Sequence, residues 1–402
     1  MGRAERVTVR IGPRRGGHPP GTMVRTVGVE EELLLIDPGT RQIGSRSPQV
    51  LKEFREHGAG REPAVADDDL DRELFRHQVE IRTHPATDLG DTRTQVLESR
   101  RHAGEAAEAS GLAIAASGIA PYGRMPLQVS DDERYRRMLM TYGRIATYGG
   151  TCGMHVHVGI DSEEEGVGVI DRVAPWLPVL VAVAANSPFH EGEDTGYASW
   201  RSESWSRWPS AGVTEQFGSL EGYREAGRFL LASGAALDDG MLYFAARLSR
   251  NHPTVEVRVC DVCTDPEDTL LVAALTRALV ETAAGQLAAG RGPDTWRAEA
   301  LRACHWRAAR HGLAETLVHP VRREPAPARD VLEALVGHVT EALTEAGDGG
   351  LVEDGVGRVL ARNGATLQRT AYESTGEVTG VVDDLITRTR ASWATDETGD
   401  RL

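Results

Sequence analysis

Two glutamates, Glu30 and Glu32, are the first side chains along the chain whose spacing points to chemistry. They lie in a largely apolar segment, 28–36, that ends at Asp37-Pro38-Gly39. This pattern predicts a strand stopped by a turn. Because side chains alternate along a strand, Glu30 and Glu32 share one face and Glu31 points to the other. Two carboxylates on one face repel each other unless a cation lies between them, and oxygen ligands suit Mg²⁺ or Mn²⁺. The alternative is an edge strand whose solvent-facing side is acidic.

A second pair has the same spacing. The segment Gly153-Met154-His155-Val156-His157-Val158-Gly159 alternates polar and apolar residues and predicts another strand. His155 and His157 then share a face, where two imidazoles can bind a metal or a phosphate. Glycines at 150, 153 and 159 indicate the close approach of another backbone or a ligand. The alternative is a polar patch in which both histidines bind neighbouring side chains.

A third alternating segment, Thr254–Val259, carries Glu256 and Arg258 on one face. Glu256 could bind a metal, and Arg258 could bind an anion such as phosphate, whose geometry matches a guanidinium. Arg247 lies shortly before this strand. The alternative is a simple ion pair between Glu256 and Arg258.

Glu73 and Glu80 are seven positions apart. In a helix this spacing is about two turns and would place both carboxylates on one side. In an extended segment the two side chains would face in opposite directions.

Several common catalytic arrangements are absent from the sequence. There is no GxSxG elbow, no HExxH helix and no GxGxxG motif after a strand. Lys52 is the only lysine, which excludes a Walker-A lysine, a Schiff-base lysine and a serine–lysine pair. If the protein binds ATP, arginines and metal ions must neutralise the phosphates. The remaining glutamates, histidines and arginines fit several divalent cations and a polyphosphate.

The four cysteines, Cys152, Cys260, Cys263 and Cys304, are too few and too scattered for a disulfide framework. Cys260 and Cys263 have a spacing found in redox and zinc sites, but a zinc site needs a second pair. We therefore expect reduced, ordinary thiols.

Composition excludes other classes of function. The net charge of −15 argues against nucleic-acid binding, which needs a basic surface. The most apolar segments, Val179–Ala185 and Leu270–Val280, are too short to span a membrane. The N-terminus is rich in arginine but has no apolar signal region. We expect a soluble cytoplasmic protein that binds small molecules, with no nucleic acid and no membrane.

The alternating strands lie before residue 260, helices dominate after it, and no βαβ rhythm is present, which favours an α+β fold with an antiparallel sheet. We expect a disordered basic leader at 1–24, one catalytic domain at 25–390 with a helical C-terminal part, and an acidic tail at 391–402. A polar and aromatic loop is expected at 190–213, where its tryptophans indicate a binding loop or lid. Helices are expected at 94–116, 131–144, 167–185, 266–289, 294–312, 329–346 and 352–372.

These segments, in this order, resemble the carboxylate–amine ligase family, also called glutamate–cysteine ligase type 2. The resemblance covers roughly residues 24–385. The matching blocks are Val27–Glu32, Glu73 with Gln78–Thr83, Gly153–Gly159, Thr195–Arg201, Pro253–Val259 with Asp261, and Trp306–Leu313.

The resemblance implies a glutamine-synthetase-like fold, in which a curved antiparallel sheet forms a funnel with helices packed outside. It also implies Mg²⁺-ATP chemistry, in which the γ-carboxylate of glutamate forms an acyl phosphate and an amine then displaces phosphate. Cysteine is the amine of the namesake activity, which is expected to be weak here, and a homodimer is possible. By this resemblance the metal ligands are Glu30, Glu32, Glu73, Glu80, His155 and Glu256.

The resemblance also assigns binding roles. Arg258 and Arg247 would hold the transferring phosphate. The Tyr197–Trp208 segment would form a lid, with Arg201 and Arg207 available for the substrate carboxylate. Tyr197 and His157 complete the expected substrate-binding set. The alternative for this segment is a loop pinned by aromatic packing.

Three alternatives to the glutamate–cysteine ligase remain open. The same chemistry could use a different amine acceptor. A metal-dependent amidohydrolase or peptidase could use His155, His157 and Glu256 without ATP. A catalytically silent relative could keep the funnel as a binding module, although the presence of every expected metal carboxylate argues against it.

Overall fold

A computed structural model of the chain describes residues 24–58, 70–72, 74–123, 128–147 and 150–394. Glu73, most of the expected leader and residues 395–402 of the expected tail lie outside these ranges. The strands in the described residues are β1 Val27–Ile36, β2 Leu70–Arg72, β3 Gln78–Arg82, β4 Ala113–Ala115, β5 Gly153–Gly159, β6 Phe189–His190, β7 Glu193–Asp194, β8 Ala246–Leu248, β9 Thr254–Asp261, β10 Thr316–Val318 and β11 Pro325–Pro327.

A seven-stranded sheet is the centre of the fold. Six strands run in the order β2-β3-β1-β5-β9-β8, and β4 pairs with the end of β1. Every pairing in this sheet is antiparallel. The three alternating segments expected from the sequence, β1, β5 and β9, are therefore adjacent strands in the middle of the sheet.

Helices make up most of the remaining structure. Short 3₁₀ turns occur at Gly143–Thr147 and Asp239–Met241. The helices are α1 Ser47–Gly58, α2 Leu89–Ala109, α3 Glu133–Tyr142, α4 Glu163–Val173, α5 Leu177–Val183, α6 Trp200–Trp205, α7 Leu220–Ala232, α8 Pro266–Ala288, α9 Ala298–His311, α10 Ala328–Ala346, α11 Gly349–Ala361, α12 Gly364–Thr375 and α13 Val378–Ala391. This architecture confirms the expected α+β class with an antiparallel sheet.

One face of the sheet is covered by helices. Val29, Val156 and Val257, which alternate with the polar residues of β1, β5 and β9, are at most 2 % exposed on this side. Helix α8 packs against β1 and β5, and α5 packs against β9. Alternation along the strands thus separates an apolar face, which forms the core, from a polar face.

The N-terminus of the long core helix α8 is capped. Asp265 accepts a hydrogen bond from the Glu267 amide at 2.9 Å, and Pro266 occupies the first turn. Among the described helices, α8 is long and apolar enough to cross a bilayer, as is the bent pair α4–α5 if it is counted as one span. In α8, 72 % of the apolar 18-residue stretch is buried inside the protein. A core helix of this kind meets the same length and composition criteria.

Three predicted helices have different boundaries. The helix predicted at 94–116 ends at Ala109, because Gly111 takes a φ of +68° and the chain continues as β4. The helix predicted at 167–185 breaks into α4 and α5, which are bent by 69° around Pro175. The helix predicted at 352–372 breaks where Asn363 caps α12 by accepting from the Thr366 amide at 3.0 Å.

Candidate active site

The register of the central sheet brings the expected site residues onto its polar face. Glu30 lies opposite His155, and Glu32 lies opposite Glu80. Farther along β5, His157 lies opposite Glu256. An open cavity of about 1250 Å³ covers this face. Its lining includes Glu30, Glu32, Glu80, His155, His157, Arg247, Glu256 and Arg258.

Glu30 lies at the centre of this group. Its Oε2 is 3.0 Å from Nδ1 of His155, and its Oε1 is 3.5 Å from Nε2 of His157. Burial raises the pKa of Glu30, but contacts with the two imidazoles outweigh this effect and hold its pKa far below the usual range. Glu30 is therefore ionised at neutral pH and available as an oxygen ligand.

Glu32 and Glu80 extend the carboxylate set toward β3. The Gly153 amide donates to Oε2 of Glu32 at 2.5 Å, and Oε1 of Glu32 lies 3.9 Å from Nε2 of His155. Glu80 is 5 % exposed and forms an ion pair with Arg82. Because Glu80 lies on strand β3, the helical placement considered for the Glu73 and Glu80 pair is wrong. Glu73 itself lies outside the described residues.

Two arginines converge on Glu256. Arg247 lies opposite Glu256 across the β8–β9 pair, and its Nε is 2.7 Å from Oε2. Arg258 contacts the other carboxylate oxygen and lies 3.3 Å from Nδ1 of His155. The ion pair offered as the alternative for Glu256 and Arg258 is therefore present, but it lies inside the cavity beside the carboxylate set.

Burial sets the protonation of the groups around His155. Burial, together with the nearby charge of Arg258, lowers the pKa of His155 to about 3. Burial also lowers the pKa of Arg258 to about 10, with a contribution from Arg247. At neutral pH His155 is neutral and Arg258 is charged, so the imidazole can serve as a ligand and the guanidinium can bind an anion.

The donor atoms in the cavity fit a divalent cation. One group consists of Glu30, His157 and Glu256, and a second of Glu30, Glu80 and His155. In each group one ligand atom from every residue lies within 4.8 Å of the others. Carboxylate-rich groups of this kind suit Mg²⁺ or Mn²⁺. Within the described residues, His157 thus belongs with the candidate metal ligands as much as with the substrate-binding set.

Three expected substrate-binding residues lie elsewhere. Arg201 is 3 % exposed, and its guanidinium lies 3.3 Å from the carbonyl oxygen of Arg258. Arg207 is exposed, with its guanidinium 5.9 Å from the Trp200 ring. Tyr197 accepts a hydrogen bond from Trp306 Nε1 at 3.2 Å. None of the three is among the residues that line the cavity, and their contact with the substrate carboxylate stays a prediction.

The expected lid also has a different form. Residues 200–205 form helix α6, which Ser199 caps by accepting from the Ser202 amide at 3.2 Å. The same hydroxyl donates to the buried Asp261 carboxylate at 2.8 Å. This segment is therefore fixed to the end of β9 by hydrogen bonds, and its role as a lid stays a prediction.

The sequence analysis missed an aromatic surface in the cavity. We call it the aromatic wall, and it consists of Tyr135, Trp205, Trp208 and Tyr243. The ring centroids of Trp205 and Tyr243 are 4.7 Å apart, and those of Trp208 and Tyr243 are 5.7 Å apart. The tryptophans at 200–208 gave a signal for a binding segment, but Tyr135 and Tyr243 had none in the sequence.

The cysteines take no part in this site. All four are buried free thiols, and none belongs to a candidate metal group among the described residues. Burial raises the pKa of Cys260 to about 12 and that of Cys304 to about 11. These thiols are protonated at neutral pH, which agrees with the expectation of ordinary reduced cysteines.

Comparison with known proteins places the chain in a family. Residues 26–388 match the model of glutamate–cysteine ligase family 2. "Putative glutamate--cysteine ligase 2-1" of Nocardioides sp. is 61 % identical over 372 residues, covering 92 % of this chain and 97 % of the relative. A relative of the same name from Streptomyces avermitilis is 44 % identical over 369 residues, covering 91 % and 100 %.

Solved structures show the same fold. A glutamate–cysteine ligase from Francisella tularensis in complex with AMP has a TM-score of 0.64 and 12 % identity, covering 93 % of this chain and 90 % of that one. A bifunctional glutathione synthetase from Pasteurella multocida has a TM-score of 0.65 and 14 % identity, covering 92 % and 52 %. These likenesses and the family match confirm the expected ligase fold. The chain belongs to glutamate–cysteine ligase family 2.

Proposed function

We propose that the protein is an ATP-dependent carboxylate–amine ligase that joins the γ-carboxylate of glutamate to an amine, with cysteine as the nominal acceptor. Membership of a ligase family and the likeness to amide-forming relatives support this reaction. The observation that carries the proposal is the position of Glu256, held between Arg247 and Arg258 next to Glu30 and the two histidines. Cation ligands and phosphate-binding groups thus meet in one cavity.

The proposed reaction has two chemical steps, phosphoryl transfer to glutamate and attack by the amine. A γ-carboxylate oxygen of glutamate attacks the terminal phosphorus of ATP, and ADP leaves. The amine nitrogen then attacks the acyl carbon, phosphate leaves with the bridging oxygen, and the nitrogen loses a proton. Negative charge accumulates on the phosphoryl oxygens in the first step, so fixed positive charge accelerates it.

Arg258 and Arg247 provide that positive charge. Both side chains are largely buried, which strengthens their interaction with a phosphate compared with an exposed arginine. Their guanidinium groups contact Glu256. Binding of the polyphosphate would let them share their donors between this carboxylate and the phosphoryl oxygens.

The residues that would hold Mg²⁺ or Mn²⁺ are Glu30, Glu80, His155, His157 and Glu256, with Glu32 beside them. A bound cation supplies charge neutralisation for the phosphates of ATP and for the developing charge during transfer. Glu73 would join this set on the basis of the resemblance alone.

Three further expectations belong to this proposal. The first is that residues 25–390 act as one catalytic domain. Contacts between early and late segments support it: Ala116 donates a hydrogen bond to Thr389 Oγ1 at 3.0 Å, and Arg41 forms an ion pair with Asp383. The protein works in the cytoplasm on small molecules. A homodimer is proposed from the resemblance, and sedimentation of the purified chain tests it.

The direct test of the proposal is ADP release by the purified protein with Mg²⁺-ATP and glutamate. The assay is run without an amine and with a panel of amines that includes cysteine. The proposal predicts glutamate-dependent ADP release that one or more amines accelerate. No ADP release from folded protein under any of these conditions would overturn it, and amide hydrolysis with Zn²⁺ and simple ligand binding would then be measured.

A further inference from the structure

The aromatic wall differs chemically from the rest of the cavity. Most of the lining around β1, β5 and β9 is ionised or strongly polar, whereas the wall contributes the rings of two tryptophans and two tyrosines. Trp208 and Tyr243 are 6 % and 8 % exposed, so only part of each ring is open to the cavity. The rings of Trp205, Trp208 and Tyr243 are held by contacts with one another, and the guanidinium of Arg134 lies 5.8 Å from the centre of the Tyr135 ring. The wall is a rigid apolar surface within a charged cleft.

The wall lies beside the proposed phosphate-binding arginines. Nη1 of Arg247 donates to the carbonyl oxygens of Gly240 at 3.0 Å and Leu242 at 3.3 Å. Tyr243 follows Leu242 directly, and the same guanidinium contacts Glu256 at 2.7 Å. A group resting on the wall would therefore be close to the point where phosphate is transferred.

Charge at this end of the cavity is compensated. Arg134, which lines the cavity next to Tyr135, makes a two-point ion pair with Asp238, with N–O distances of 2.7 and 3.0 Å. The positive charge of Arg134, next to the wall, is therefore already paired with a carboxylate. The guanidinium of Arg201 lies 5.9 Å from the centre of the Trp205 ring, and the remaining surface of the rings is what the wall offers to a substrate.

The substrates of the proposed reaction differ in what they can place on such a surface. Glutamate and the triphosphate of ATP are anionic, and the negative face of an aromatic ring does not attract them. The adenine ring of ATP can stack on such a surface, but the triphosphate separates it from the terminal phosphorus, so it would not rest beside the point of phosphoryl transfer. An amine arrives as an ammonium ion or as a neutral base, and both the cation and an apolar group attached to it bind well to ring faces. Cysteine has a side chain of one methylene and one thiol, which would cover little of a four-ring surface.

We propose that the aromatic wall is the acceptor subsite and that it selects a primary amine bearing an aromatic group over cysteine. This inference rests on the proposed function, since it concerns the second half of that reaction. The amine nitrogen attacks the acyl carbon of γ-glutamyl phosphate, phosphate leaves, and one proton passes from nitrogen to solvent. The aromatic group of the amine packs on Trp205 and Tyr243 while this occurs.

The test compares 2-phenylethylamine with ethylamine, cysteine and hydroxylamine, each with Mg²⁺-ATP and glutamate. Hydroxylamine is too small to need the wall, so γ-glutamyl hydroxamate reports acyl-phosphate formation by itself. We expect hydroxamate, and a kcat/KM for 2-phenylethylamine about tenfold or more above those for ethylamine and cysteine, because the aromatic contact adds to the gain from burying the apolar ring. Hydroxamate without this preference would overturn the inference and leave the proposed function standing. Absence of hydroxamate would overturn both.

A pair of variants tests the location. Trp205→Leu keeps an apolar side chain but removes the ring, and we expect the ratio of kcat/KM for 2-phenylethylamine to that for ethylamine to fall at least fivefold. Trp306→Leu is the matched control, because Trp306 is 44 % exposed and does not line the cavity. Its ratio should equal that of the wild type. If Trp205→Leu does not fold, Tyr135→Leu, whose ring is partly exposed, provides the same comparison.

Two results for Trp205→Leu would contradict the inference. An unchanged ratio would show that the amine does not contact the wall. A raised KM for ATP with an unchanged amine ratio would place the adenine ring there instead.

Discussion

Glu31 and Arg100 form a two-point ion pair directly behind the candidate active site, with both N–O distances at 2.7 Å and both side chains at most 1 % exposed. Arg100 also donates to the carbonyl oxygens of Cys263 and Thr264, and Thr269 donates to Glu31 at 2.7 Å. Because Glu31 lies between Glu30 and Glu32 on β1, this buried contact fixes the strand that carries both candidate metal ligands.

Removing Arg100 should therefore destabilise the protein. Arg100→Met leaves the Glu31 carboxylate buried without its cation, and we expect the free energy of unfolding to fall by about 3–5 kcal/mol. Urea denaturation measures the change. The double variant Glu31→Met with Arg100→Met should lose less than Arg100→Met alone, because no buried charge is left behind. A loss below about 1 kcal/mol for the single variant would show that the pair does not hold β1.

Replacing Glu256 should stop ATP turnover while leaving the fold intact. Glu256→Gln removes a candidate metal ligand but keeps an oxygen that can accept from Arg247 and Arg258. We expect kcat for glutamate-dependent ADP release to fall at least about 100-fold. Asp383→Asn, which alters an exposed ion pair with Arg41, is the matched control and should retain wild-type activity. Near-normal rates for Glu256→Gln would make Glu256 a structural residue.

Arg207 provides a test of the expected substrate-binding set. Its side chain is exposed beside Trp200 and does not line the cavity, so Arg207→Ala should change KM for glutamate by less than about twofold. Arg258→Lys should instead lower kcat about 100-fold, since an ammonium cannot replace a guanidinium that contacts two partners. Steady-state kinetics separates these effects. A tenfold rise in KM for glutamate in Arg207→Ala would restore the role expected from the sequence.

The buried histidine His305 predicts a specific pH dependence of stability. Burial, with a contribution from Arg201, lowers the pKa of His305 to about 4 from its ordinary value of about 6.5. Between pH 6.5 and pH 4 the unfolded chain takes up a proton at this site and the folded protein does not, so stability is lost as pH falls.

Replacing His305 should remove this contribution. We expect His305→Gln to reduce the slope of the free energy of unfolding against pH by about 1.4 kcal/mol per pH unit in that window. Glutamine can still hydrogen bond with Ser202, whose hydroxyl lies 2.8 Å from Nε2 of His305. Urea titrations at pH 4.5, 5.5 and 7.5 measure the slope. An unchanged slope would show that His305 is protonated in the folded protein.

Strand alternation predicted which candidate side chains share a face of each strand. Glu30, His155 and Glu256 each lie in a strand whose apolar residues face the helices, so their side chains had to share the opposite face once β1, β5 and β9 were adjacent. Which strands are adjacent depends on contacts between distant segments. That information came from the family resemblance and not from the pattern.

Other features depend on packing that the sequence pattern does not show. Arg201 was expected to be available to the substrate carboxylate as part of a lid, and the pattern did not show that the backbone carbonyl groups of β9 bind it in the interior. Tyr243 lies shortly after the 3₁₀ turn at Asp239–Met241, where the Gly240 carbonyl accepts a hydrogen bond from Arg247 at 3.0 Å. Such contacts between a side chain and a remote backbone leave no periodic signal.

The central claim is that glutamate is phosphorylated before the amine reacts, and isotope transfer tests it most directly. Glutamate labelled with ¹⁸O in its γ-carboxylate is incubated with Mg²⁺-ATP, an accepted amine and the enzyme, and the released phosphate is examined by mass spectrometry. The account predicts one ¹⁸O atom in the phosphate, because the attacking carboxylate oxygen leaves with it. Unlabelled phosphate released together with ADP would contradict the account, since it would show that water attacks ATP instead.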